Sequence, residues 1–105
     1  MPHAYADVRC NCRTVKKYHC HSHDSNNFLE DFTCDHFNIS VFKRAHFGWL
    51  MGFDQLAGLD FNITCAKCHK NKNITYEAKT FGKKNKESIF NCCGNNLSFH
   101  FYWDH

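Results

Sequence analysis

The chain has 105 residues, eight cysteines, nine histidines and a formal net charge of +3. That length fits one domain, 1–105, whose core is small enough that disulfides or metals commonly supplement it. No stretch reaches the roughly 20 apolar residues of a membrane helix. So many cysteines and histidines argue for crosslinks or metal ligation rather than for one reactive thiol.

The opening MPHAYADVRC has no apolar run of the kind a secretory leader carries. The expectation is therefore an intracellular protein of cytoplasm or nucleus, where cysteine clusters are more often metal sites than disulfides. Four sequons pull the other way: Asn38-Ile-Ser40, Asn62-Ile-Thr64, Asn73-Ile-Thr75 and Asn96-Leu-Ser98. Their use requires a secretory route, so a secreted, disulfide-bonded glycoprotein is one alternative. The bland reading is that each is a half-buried strand, with β-favouring Ser or Thr on its solvent face.

In chain order, residues 1–8 read as a loose or edge segment. From Val8 the pattern is strand-like, with Val8, Cys10 and Cys12 on one face. Tyr18 to His23 places His19, His21 and His23 on one face of an extended chain, with Cys20 opposite. Asp24 to Asn27 is a polar turn. Phe28 to Phe32 reads as a short helical turn or a strand entry. Thr33 to Lys43 reads as a strand with Phe37, Ile39 and Val41 inward. Arg44 to Gly58 is either a short helix near 44–57, weakened by Gly48 and Gly52, or a loop carrying Trp49 and Phe53. Leu59 to Cys65 is the clearest strand. Leu97 to Asp104 is another, with Leu97, Phe99, Phe101 and Trp103 on its apolar side.

Between these last two strands lies the most informative stretch, Cys65 to Cys93. Cys65 and Cys68 form a C-x-x-C pair, and Cys92, Cys93 and Gly94 return about two dozen residues later. Two sulfurs from one tight turn and more from a second are what a tetrahedral zinc site requires. The segment reads as one hairpin: Ile74, Tyr76 and Ala78 alternate, FGKKNK forms the turn, and Ile89-Phe90 begin the return. Adjacent side chains on a strand point to opposite faces. Cys92 and Cys93 can therefore both ligate only if the backbone kinks, which Gly94 favours; otherwise His69 or His100 can complete the set.

The remaining cysteines suggest a second set. Cys10, Cys12, Cys20 and Cys34 can hold another ion, with His19, His21, His23 or His36 able to replace a thiol. A variant lets Cys10 and Cys12 complete the site begun by Cys65 and Cys68. One or two zinc ions follow. A catalytic metal would keep an open position and often uses His ligands, which makes a metalloenzyme built on His19, His21 and His23 the second alternative. No H-E-x-x-H, deaminase signature or nucleophile elbow supports it. No catalytic residue or small-molecule substrate is identified.

Charge points to a partner. Lys67, Lys70, Lys72, Lys79, Lys83, Lys84 and Lys86 crowd the same stretch, against Glu77 and Glu87. Lysines with Tyr76 and Phe81 on a rigid hairpin suit phosphate contact and base stacking. Lys67, Lys70, Lys72, Lys83, Lys84 and Lys86 are the candidate nucleic-acid contacts. The chain has three arginines only, which argues against sequence-specific readout.

The order C-x-C, C-x-x-C, F-x-C-C-G-x-x-L-x-F resembles small β-rich zinc folds, namely zinc ribbons and the tent-like folds of formaldehyde-activating enzymes and their non-enzymatic relatives. The expectation is a mostly β, zinc-stabilised domain built from hairpins, zinc-ribbon-like or tent-like. Its expected role is a binding or adaptor module in a nucleoprotein or protein assembly, acting through a lysine-rich hairpin.

Overall fold

A computed structural model describes residues 2–29, 31–46, 55–78 and 85–104. Among them there are nine strands and no helix: β1 (His3–Cys10), β2 (Val15–His21), β3 (Asn27–Phe28), β4 (Phe32–Thr33), β5 (Phe37–His46), β6 (Leu56–Cys65), β7 (Asn71–Ala78), β8 (Asn85–Cys92) and β9 (Asn95–Asp104). They form two antiparallel sheets. One has the order β2-β1-β9-β8. The other runs β3-β5-β6-β7, with β4 also pairing β5.

The sheets pack face to face on the residues that alternation selects. Phe37, Ile39 and Val41 of β5, Leu59, Phe61 and Ile63 of β6, and Leu97, Phe99 and Phe101 of β9 are buried. Phe61 meets Phe99 edge-on at 5.1 Å, and Tyr76 stacks on Phe101 at 5.0 Å, geometries that aromatic quadrupoles favour. The three sequons of β5, β6 and β7 lie on the outer face of one sheet. Asn38 pairs with Thr64, and Asn62 pairs with both Ser40 and Asn73. Their central isoleucines, Ile39, Ile63 and Ile74, are buried.

Three expectations are corrected. The segment 65–93 is not one hairpin: β7 pairs with β6, whereas β8 pairs with β9 in the opposite sheet. β7 ends at Ala78 in one sheet and β8 begins at Asn85 in the other, and most of the expected FGKKNK turn lies outside the described residues. The alternation was read correctly, but alternation says nothing about which neighbour a strand takes. Second, residues 3–8 are no loose edge. They belong to β1, which lies between β2 and β9 and buries the small side chains of Ala4 and Ala6. Third, Arg44 to His46 continue β5 and Leu56 begins β6. The rest of the expected helix, 47–54, lies outside the described residues.

Candidate metal centres

Four chain reversals gather at one end of the sandwich. Cys10 pairs with Leu97 and Cys92 with Asn95, so the β1–β2 and β8–β9 turns are neighbours. Phe37 pairs with Cys65, and the Ala66 amide donates to the His36 carbonyl at 2.9 Å. The β4–β5 and β6–β7 turns are therefore neighbours in the other sheet. Every cysteine except Cys20 sits at this end.

The β6–β7 turn forms the first knuckle. The Cys65 amide donates to the Lys70 carbonyl at 2.9 Å, and His69 donates to the Cys65 carbonyl at 3.0 Å. His69 takes φ +64°, a left-handed conformation in which histidine is enriched. The amides of Cys68 and Lys67 then point at the Cys65 sulfur and hold its thiol down, from 9.0 to about 6, because donated hydrogen bonds favour the thiolate.

The second knuckle explains how adjacent cysteines serve together. Cys92 ends β8, and Cys93-Gly94 form the two-residue turn into β9 with φ +53° and +77°. Positive φ at both central positions is the hairpin turn usually built from Asn-Gly or Gly-Gly. Strand alternation stops at Cys92, and Cys93 swings to the same side. The sulfurs of Cys65 and Cys93 are 3.8 Å apart, those of Cys92 and Cys93 3.8 Å, and those of Cys68 and Cys92 3.1 Å. Zinc–sulfur bonds of about 2.3 Å at tetrahedral angles put sulfurs about 3.8 Å apart. A disulfide needs about 2.05 Å, and all eight cysteines are free thiols. This set can hold a metal ion, two ligands coming from each sheet.

Cys10, Cys12 and Cys34 form a second group, their sulfurs all within 4.8 Å of one another. A three-residue turn closes over them, with Cys10 donating to the Thr14 carbonyl at 3.0 Å and Arg13 at φ +73°. Cys34 comes from the β4–β5 turn, where its amide donates to the Phe37 carbonyl at 3.0 Å. This group, too, links the two sheets. Thr14 Oγ1 lies 3.2 Å from Cys12 Sγ; that contact chiefly holds the Cys12 thiol down, from 9.0 to about 6. Burial pushes Cys10 up to about 12. Contact with Cys68 raises both Cys92 and Cys93. In each cluster, then, one sulfur takes the negative charge easily, while Cys10 in one and Cys92 and Cys93 in the other resist it. A divalent cation removes that conflict by compensating several thiolates at once.

Cys20 and His21 do not join either cluster. Cys20 pairs with Ala4 on β1, about 20 Å from Cys10 at the rise of a strand. It is fully buried in the core, its thiol reaching the Arg44 carbonyl at 3.6 Å, and burial raises its pKa. It serves as a small apolar side chain. His21 lies at the same far end, among imidazoles. His3 Nδ1 is 2.8 Å from His19 Nε2, and His21 sits 4.2 Å from His3 and 5.0 Å from His23 between ring centroids. Burial, then the charges of His3 and His23, lower the His21 pKa. Among the described residues, only the two thiol groups bring three or more ligand atoms within 4.8 Å. His3 was not legible as part of this cluster, because only the β1–β2 register places it opposite His21.

The lysines divide. Lys67, Lys70 and Lys72 are exposed on and beside the first knuckle, with Lys72 Nζ 6.0 Å from the Phe90 ring centroid. Lys86, on β8, pairs with Phe101 of β9, about 20 Å from Cys92 and in the other sheet. Lys83 and Lys84 lie outside the described residues. No protein-family model matches the chain, and neither a curated protein nor a solved structure shows significant similarity to it.

Proposed function

We propose that this protein is a structural zinc-binding module in which the ion held by Cys65, Cys68, Cys92 and Cys93 staples the two sheets together. The observation carrying this reading is a set of four sulfurs within 4.8 Å of one another, gathered from the ends of two strands, β6 and β8, that do not pair with each other. Four thiolates suit zinc, which is bound tetrahedrally by sulfur in closed structural sites. Zinc here would contribute to folding directly, since the sulfurs meet only in the folded chain. Removing it with a chelator should lower Tm substantially, and restoring zinc should return it. An unchanged Tm would remove the staple from the account.

The stapled end then presents Lys67, Lys70 and Lys72 as an exposed basic knuckle for an anionic partner, with a nucleic-acid backbone the best chemical fit. The role is that of an adaptor in a nucleoprotein or protein assembly. Charge reversal to Glu at these three positions should weaken RNA or single-stranded DNA binding. It should also flatten the dependence of log K on log salt by about 2 to 3 units, given about 0.7–0.9 per phosphate contact. Four thiolates and one Zn²⁺ leave a net double negative charge, which the same lysines could instead neutralise. In that case the variant loses zinc more readily and the salt slope does not move.

A further inference from the structure

The two thiol groups are not equivalent. The Cys65 set closes on four sulfurs, whereas the Cys10 group has three. Cys20, which would complete a second set of four, is committed to the core at the far end. The side chains that hydrogen-bond two of the three sulfurs are neutral: Asn11 Oδ1 accepts from Cys10 Sγ at 3.5 Å, and Thr14 Oγ1 meets Cys12 Sγ. Neither a carboxamide nor a hydroxyl is a usual zinc ligand. Asp35 and His36 follow Cys34 in sequence but line a separate cleft with Ala66, Lys67 and Asn95. Among the described residues, no Cys, His, Asp or Glu adds a fourth ligand atom to the group. Cys10 is buried, while Cys12 and Cys34 are half-buried, so the group opens to solvent on the Cys12–Cys34 side.

We propose that Cys10, Cys12 and Cys34 form a second, open zinc site, holding the ion by three thiolates while an exchangeable ligand from solvent occupies the fourth position. Three protein ligands plus one exchangeable donor is the arrangement that lets zinc accept a small molecule, whereas a closed four-sulfur site is inert. The ion at this site exchanges faster than the one at Cys65. Its outer coordination position accepts water, hydroxide or a small anion. The inference deepens the zinc reading above, and it stands on a different set of residues.

The test is ¹¹³Cd NMR of the full chain reconstituted with ¹¹³Cd²⁺ alone, titrated with chloride and then bromide. Two resonances are expected. One lies in the all-sulfur region and ignores halide. The other lies upfield, as three sulfurs and one lighter donor require, and moves with each halide. Cys34→Ser should remove or shift the upfield signal only, and Cys68→Ser the all-sulfur signal only. Two halide-insensitive all-sulfur resonances would overturn the open site, and so would a single resonance that survives Cys34→Ser; either leaves the Cys65 staple standing. Absence of an all-sulfur resonance sensitive to Cys68→Ser would instead overturn the staple. The halide titration needs no variant, so a folding defect in Cys34→Ser does not protect the proposal.

Discussion

Cys93 meets two opposed demands. Its sulfur is needed beside Cys65 and Cys92, yet its backbone sits at φ +53°, where a side chain costs about 1–2 kcal/mol relative to the favoured helical hand. Cys93→Gly should therefore abolish metal binding at this set while leaving the metal-free protein about 1 kcal/mol more stable than Cys93→Ala, measured by urea unfolding in chelator. Equal stabilities would remove the strain argument. Cys20→Ala gives the converse: full metal content, with a loss of about 1 kcal/mol from the core. Protonation acts on the ligands directly. Cys65 and Cys12 are held at about 6 against an ordinary 9.0. Their lowered pKa values favour the folded thiolate; that contribution is complete above about pH 9 and is lost as pH falls through about 6. Metal content followed by dialysis at stepped pH should therefore fall as the pH is lowered, since protons compete with the ion for each thiolate. Occupancy that does not change with pH would count against thiolate ligation.

At the scale of the strand and turn, much was legible and the limits are physical. Alternation of apolar residues correctly placed the inward faces of Phe37 to Val41, Leu59 to Cys65 and Leu97 to Trp103. It also explains the recurring Asn-Ile-Ser/Thr pattern, since a period of two puts Asn and Ser or Thr on the outer face and Ile in the core. Sheet membership was not legible, because it depends on long-range contacts that neither β7 nor β8 records locally. β1 was missed for a different reason: Ala4 and Ala6 give little hydrophobic contrast against His3 and Tyr5. The kink at Cys92-Cys93-Gly94 was foreseeable as a requirement, but its mechanism, a two-residue turn with both φ values positive, needed the register. Gly94 has φ +77°, and a Cβ there would meet nothing within 4 Å. Gly94→Ala should therefore cost only the backbone term, about 1 kcal/mol, with metal content unchanged. A loss of several kcal/mol would mean the turn does more than reverse the chain.

For the whole molecule, the thiol clusters and the aromatic core divide the work. The core spans both sheets through Phe61, Phe99 and Phe101, while each cluster takes ligands from both sheets at one end only. Chelation should therefore loosen that end first. Hydrogen exchange at Cys65, Asn11 and Cys34 should accelerate by an order of magnitude or more, while Ala4, Cys20 and Leu59 remain protected. Uniform acceleration would make the metal a global folding requirement instead of a local staple. Whether metal-bound thiols join the two sheets is tested most directly by native mass spectrometry of the protein purified without added metal, repeated after denaturation. At least one zinc ion is expected in the native state and eight free thiols in the denatured chain. A metal-free native mass, lowered by about 2 Da for each disulfide formed, would contradict it.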